Sequence, residues 1–254
     1  MDFNKMHSRT CIILSGGVGV RLGASTPKQY IEVNRKSILE YTLNAIMTWE
    51  SMDSLIIVAD KAWHEYVRDI VYKVLGSKDS INFQNISFLG FAEPGKNRQL
   101  SIYNALKMVK DYMSTDARVM IHDGVRPCLS SELIERCNAT FENSLDVDGV
   151  MPYLEVKDTV YLKNSEGNIS GMLDRSSLVA GQTPEFFDYW KYLKANEALS
   201  DDEMLVVHGS TEPAVKANMK IALVQGDEDN FKITTPQDLE RFKTKVIEIS
   251  EQDS

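Results

Sequence analysis

Residues 11–30, CIILSGGVGVRLGASTPKQY, limit what this chain can become more than any other stretch. The apolar run Cys11-Ile12-Ile13-Leu14 has the length and composition of a buried strand, and it stops abruptly at Ser15-Gly16-Gly17. Gly19 and Gly23 follow, with Arg21 between them and Lys28 after Pro27. A loop so poor in side chains can turn its N–H groups toward an anion. Arg21 and Lys28 repel each other unless an anion joins them, and a polyphosphate satisfies both features. Two familiar phosphate loops do not fit. The P-loop closes on Gly-Lys-Ser/Thr, where this chain has Arg21-Leu22-Gly23. The dinucleotide fingerprint opens a helix, whereas Pro27 interrupts any helix here.

The rest of the chain alternates. Strand patterns at 54–59, 86–89 and 119–121 interleave with helical patterns at 37–49, 63–75 and 97–112. That rhythm predicts right-handed βαβ crossovers and a mostly parallel sheet, whose ligands sit beyond the carboxyl ends of the strands. The glycine loop and His122-Asp123 both fall at such ends. Beyond residue 150 the pattern predicts a hairpin (159–162 and 169 onward, around a Gly-containing turn), a helix over 185–196, and strands at 221–224 and 231–234. A closing helix opens at Pro236, with Thr235 as N-cap. The expected organisation is a loose N-terminus (1–8) and a single domain (9–250) carrying a hairpin arm at about 155–178.

With 254 residues and a net charge of -9, the chain argues against a general nucleic-acid or anionic-membrane surface, which would want a basic face, while leaving room for a local cationic pocket. It has no apolar run approaching the roughly 20 residues a bilayer requires, and no signal-peptide core, so a cytoplasmic location is expected. Three cysteines without a C-x-x-C pair suit cytosolic thiols, and no Cys/His zinc pattern occurs.

Asp123, at a strand end facing a phosphate loop, suits Mg²⁺, which takes one or two carboxylates plus substrate phosphates; an Asp before Gly equally caps a turn. Gly95 and Ser101 flank the start of a helix, where plain capping and a nucleotide contact are compatible.

These residues carry a resemblance. L-S-G-G-x-G-x-R-L-G with Pro27-Lys28-Gln29-Tyr30 is similar to the signature loop of the polyol-phosphate cytidylyltransferases, which include the ribitol-phosphate and methylerythritol-phosphate enzymes. His122-Asp123-x-x-Arg126-Pro127, Gly95-x-x-Arg98-x-x-Ser101, Gly181-Gln182-Thr183-Pro184 and Asn230-x-Lys232-x-Thr234-x-Pro236 match further motifs of that family. Lys96 stands where the family has an acidic or polar residue, and Glu185 where it has Gln. The resemblance implies a Rossmann-like, GT-A-like α/β nucleotidyltransferase fold with an inserted β-hairpin arm. It implies Arg21, Lys28 and Lys232 as catalytic cations, and Ser15, Gly16, Gly17, Gly19, Gly95, Arg98, Ser101 and Asp123 around CTP, with Asp123 also on Mg²⁺. Arg126, Thr159, Arg175 and Thr183 would serve the acceptor, Thr159 and Arg175 by reaching across a homodimer from the arm.

The implied reaction is CMP transfer from CTP to a five-carbon polyol phosphate. Leu199-Ser200-Asp201-Asp202, resembling an L-S-D-E segment, leans toward ribitol 5-phosphate and CDP-ribitol. 2-C-methyl-D-erythritol 4-phosphate is the alternative acceptor. A hexose-phosphate nucleotidyltransferase sharing only the loop, and a non-catalytic nucleotide-binding protein, are the remaining readings.

Overall fold

The computed structural model describes residues 6–17, 26–76, 86–144 and 146–252. In chain order the elements are β1 (His7–Leu14), a 3-10 turn (Lys28–Tyr30), β2 (Glu32–Val33), β3 (Lys36–Ser37), α1 (Ile38–Ile46), β4 (Ser54–Val58), α2 (His64–Leu75), β5 (Ser87–Ala92), α3 (Arg98–Val109) and β6 (Met113–Asp123). Then come α4 (Ser131–Asn143), β7 (Gly149–Glu155), β8 (Tyr161–Lys163), β9 (Ile169–Met172), β10 (Val179–Gly181), β11 (Glu185–Asp188), α5 (Tyr189–Glu197), α6 (Asp201–Val206), α7 (Glu212–Lys216), β12 (Ile221–Gln225) and α8 (Pro236–Gln252).

Among the described residues one eight-stranded sheet runs β10-β7-β11-β6-β1-β4-β5, with β12 also pairing β7. β1 alternates between two cores: Cys11 and Ile13 pack with α1, α2 and α4, while Ile12 packs with α3 and α5 on the other face. A strand covered on both faces carries apolar residues at every position, which is why Cys11-Ile12-Ile13-Leu14 does not alternate. A third cluster, with Val125, Ile233, Phe242 and Val246, docks α8.

Register places the site. β1 pairs in parallel with both β4 and β6, and Leu14 lies opposite Val58 on one side and Asp123 on the other. Three strands therefore end in line on one edge. β11 lies between β6 and β7, antiparallel to both, so its amino end, Glu185, meets the carboxyl end of β6 opposite Ile121.

Two expectations need correction. Residues 185–188 form β11 rather than the first turn of a helix; Phe186 and Phe187 are both fully buried in the middle of the sheet, and only from Tyr189 does the chain turn helical. Residues 231–234 form no strand. They lack a ladder and are pinned singly: Ile233 N donates to Val125 O (2.9 Å), and Arg126 Nη1 to Asn230 O (2.5 Å). Asn230 Nδ2 donates to Thr183 O (2.6 Å).

The predicted hairpin forms as β8–β9, with its turn closed by Asn164, which accepts from Glu166 N and Asn168 N. It carries Tyr161, Leu162, Ile169 and Met172 to solvent, Ile169 at 70% exposure. No helix among the described residues is long and apolar enough to cross a membrane.

Candidate active site

The sheet edge where Leu14, Val58 and Asp123 end opens into a cleft of about 510 Å³. Its lining comes from four βα turns: Gly16 and Gly17 after β1, Asp60 after β4, Pro94 to Arg98 after β5, and Asp123 with Val125 after β6. Lys28 and Lys232 complete it. Gln29, buried at 3%, fastens the start of the glycine loop by donating to Ser15 O (2.6 Å) and Gly17 O (2.9 Å). Gly16 packs against Pro94, which a Cβ would approach to 2.7 Å. Gly95 is tighter still: a Cβ would come within 2.3 Å of Leu100 Cβ, because its N–H donates to Ser101 Oγ (2.9 Å) and folds the turn onto the first turn of α3. Asn97 caps that helix through Leu100 N (2.8 Å).

Asp123 is the hub. Its Oδ1 receives Arg98 Nε at 3.0 Å; its Oδ2 faces Lys232 Nζ at 2.9 Å and Arg126 Nε at 3.6 Å. Burial alone would raise the Asp123 carboxyl, but these three cations overcome it and hold the group far below the usual carboxylate range. Beneath it His122 is fully buried, and desolvation depresses its pKa to about 4. A neutral imidazole facing a carbonyl must donate to it, so Nε2–H points at Arg126 O (3.2 Å). Nδ1 then accepts from the Thr183 hydroxyl (3.0 Å), which in turn accepts from Asp123 N (3.4 Å). His122 is therefore a fixed spacer that shapes the Asp123 turn.

A second cavity of about 430 Å³ adjoins the first, sharing Arg98, Asp123 and Lys232 with it. Its other walls include Arg126, Thr183, Glu185, Ser210 and Thr211. Arg98 joins the two. Beyond Asp123, its Nη1 donates to Ser210 Oγ (2.7 Å) and its Nη2 lies 3.7 Å from Glu185 Oε2. The first cavity is built from residues up to Val125 plus Lys232, the second from residues after His122 plus Arg98. At their junction three cations face two carboxylates, and the first cavity adds Lys28 and Lys96 against Asp60; the excess positive charge suits an anionic ligand.

The structure thus brings together Gly16, Gly17, Lys28, Gly95, Arg98, Ser101, Asp123, Arg126, Thr183 and Lys232. Lys28 reaches across to Ile233 O (3.1 Å), tying the first loop to the segment that carries Lys232. Ser15 is 2% exposed, is not among the residues lining the cleft, and donates its N–H to Val58 O (2.9 Å). Ser101 lines the cleft, but its hydroxyl is engaged by Gly95 N and Asn97 O, so it shapes the turn. Thr159 and Arg175 are exposed on the arm and line neither cavity; Arg175 donates to Lys157 O (2.7 Å). Gly19 and Arg21 lie outside the described residues.

Sequence reasoning missed three positions. Gln29 lay within the quoted motif without a role. Ser210 carried no signal of its own. Glu185 was visible only as a departure from the family's Gln.

No cluster of three or more His, Cys, Asp or Glu side chains able to hold a metal occurs among the described residues. The site offers Asp123 as a carboxylate already facing three cations. That donor set fits magnesium as the companion of a triphosphate, with most ligands from the phosphates, and not as a resident ion. The three thiols are inert by burial, which pushes Cys128 up to about 11 and Cys137 up to about 12.

Comparison with known proteins gives the family and the fold. The family model described as IspD, 2-C-methyl-D-erythritol 4-phosphate cytidylyltransferase, matches residues 10–247. The enzyme of that name from Clostridium perfringens strain SM101 is 37% identical over 229 residues, covering 90% of this chain and 94% of its own. A ribitol-5-phosphate cytidylyltransferase from Streptococcus agalactiae serotype Ia is 29% identical over 239 residues, covering 91% and 92%. Among solved structures, 4-diphosphocytidyl-2C-methyl-D-erythritol synthase from Anaerococcus prevotii superposes with a TM-score of 0.73 at 24% identity, covering 95% of this chain and 96% of that one. The Francisella tularensis 2-C-methyl-D-erythritol 4-phosphate cytidylyltransferase also gives 0.73, covering 92% and 97% at 24% identity. The two structures share the fold.

Proposed function

The chain belongs to the IspD cytidylyltransferase family, and from that premise we propose that it transfers CMP from CTP to the phosphate of a five-carbon polyol phosphate. The observation that carries this reading is the convergence of Arg98, Arg126 and Lys232 on Asp123 where the two cavities meet. The larger cleft, walled by glycines and the start of α3, takes the nucleotide. The smaller, with Arg126 at the junction and hydroxyl-bearing walls, takes the acceptor.

An acceptor phosphate oxygen attacks the α-phosphorus; the bond to the β-phosphate oxygen breaks, and pyrophosphate leaves with that electron pair. A phosphate monoester is already ionised, so the site needs no deprotonating base. Catalysis is alignment and charge compensation. Lys28 and Lys232, with Arg21 from the same glycine loop, offset charge gathering on the α-phosphate and the leaving group. Arg126 holds the acceptor phosphate. Asp123 offsets the mutual repulsion of the cations gathered on it and would be the protein's contact to magnesium, which when bound to the triphosphate would supply further charge neutralisation.

Ribitol 5-phosphate is the acceptor supported by the Leu199-Ser200-Asp201-Asp202 segment; 2-C-methyl-D-erythritol 4-phosphate is favoured instead by the 37% identity to the Clostridium perfringens enzyme. The protein acts as a homodimer in which the exposed apolar face of the β8–β9 hairpin packs on a second copy, and Thr159 and Arg175 of each arm serve the other's acceptor cavity. Pyrophosphate release from CTP, UTP, ATP and GTP, each with ribitol 5-phosphate, 2-C-methyl-D-erythritol 4-phosphate and glucose 1-phosphate, tests the reading. Turnover with CTP and one polyol phosphate is expected. Turnover with UTP and glucose 1-phosphate, or CTP binding without release, overturns it.

A further inference from the structure

Glu185 is an unusual occupant of the acceptor cavity. It is 4% exposed, yet it lines that cavity from the amino end of β11. Its two oxygens are used unequally. Oε2 accepts from Ser210 Oγ and faces Arg98 Nη2 at 3.7 Å. Oε1 has no hydrogen-bond partner among the described residues, although the residue sits in a wall built to hold polar groups. Glu185 lines the cavity, and an acceptor oxygen not used by Ser210 or Arg98 is one that a ligand hydroxyl entering there can donate to.

The charges around it also have a direction. Arg126 and Lys232 lie on the far side of Asp123, whereas Glu185 is separated from Asp123 by the breadth of the Arg98 guanidinium. A phosphate is drawn to Arg126 and Lys232 and repelled by Glu185. With the phosphate held there, the uncharged, hydroxyl-bearing end of the acceptor is left facing Glu185.

Resting on the reading of the second cavity as the acceptor site, we propose that Glu185 is a specificity residue: its Oε1 accepts a hydrogen bond from one hydroxyl of the polyol, and its carboxylate orients the acceptor with the phosphate toward Arg126 and Lys232. Arg98 and Ser210 hold the carboxylate in place for this contact.

The test is a cycle of one substitution against one missing hydroxyl. Pyrophosphate release is measured for the wild type and Glu185→Gln, using whichever polyol phosphate the wild type turns over and each of its singly deoxygenated analogues. Replacing a charged hydrogen bond by a neutral one is expected to raise acceptor KM roughly tenfold more than it raises the KM for CTP. One deoxy analogue is expected to lose about tenfold or more in kcat/KM on the wild type and little on the variant. Equal penalties for every analogue on both proteins overturn the proposal, as does a loss that falls on CTP KM instead. Should Glu185→Gln fail to fold by urea titration, Glu185→Asp, which keeps the charge, carries the same cycle. A wild type that releases no pyrophosphate with any polyol phosphate overturns the functional reading itself, a different result from a working enzyme indifferent to Glu185.

Discussion

Arg98 and Lys232 both touch Asp123, yet removing them should have opposite signatures. Lys232 is the outer partner, its side chain 35% exposed and its Nζ 2.9 Å from Oδ2. Replaced by Met, it leaves Asp123 with Arg98 and Arg126, so the carboxylate stays compensated, and the stability cost should stay near that of a partly exposed pair, about 1 kcal/mol or less. What is lost is a cation aimed at charge that develops during transfer, and the expected fall in kcat is roughly 10²–10³-fold, or about 3–4 kcal/mol. Arg98 is the inner partner. Its guanidinium binds Asp123, Ser210 and Glu185 together, and both carboxylate side chains are nearly buried, at 7% and 5% exposure. Arg98→Met strands Glu185 without a cation and should cost about 3–5 kcal/mol of stability, the usual penalty for breaking a buried pair from one side. Urea midpoints and pyrophosphate release, measured on both variants, separate the two. The reasoning fails if Lys232→Met unfolds as readily as Arg98→Met, or if it folds normally and turns over normally.

Three further outcomes are expected. Lys28→Ala should lower kcat roughly 10²-fold or more in a protein whose circular dichroism is unchanged; normal turnover would remove Lys28 from the chemistry. His122 titrates near 4 when folded and near 6.5 when unfolded, so between those values the unfolded chain binds more protons and stability should drop as pH falls from about 6.5 to about 4. Its contribution is at most about 3 kcal/mol and is opposed by Glu185, whose carboxyl burial pushes up; urea midpoints against pH for the wild type and His122→Gln should diverge across that window, and parallel curves would refute the assignment. Ile169→Asp with Met172→Asp should convert a dimer into a monomer in analytical ultracentrifugation while sparing the urea midpoint of the isolated fold, since both side chains face solvent within one chain; a wild type that sediments as a monomer would remove the arm's proposed partner.

The parallel half of the fold was legible because its central strands β1 and β4 are apolar on both faces and the helices α1 and α2 carry a clear apolar stripe. Asp123 and the glycine loop could be placed at one edge from strand direction alone. The second half resisted. Glu185-Phe186-Phe187-Asp188 is four residues long, too short for a period to declare itself, and its aromatic pair suits a helix as well as a strand. The segment around Lys232 read as a strand because Phe231 and Ile233 alternate with polar neighbours, yet its backbone groups are met by Val125 and Arg126 from the turn after β6 and by Lys28 from the 3-10 turn near the start of the chain. No local pattern encodes that.

The division of the walls along the chain has an evolutionary side. On the proposed assignment, the nucleotide cleft draws on residues up to Val125 and the acceptor cavity on residues after His122, with only Lys232 and Arg98 among the described residues crossing over, so the two binding preferences are nearly separable in inheritance. Drift in the later half can re-tailor which alcohol is activated while the triphosphate grip is left undisturbed, and a graft of the later half from a relative would carry its owner's taste for acceptor along with it.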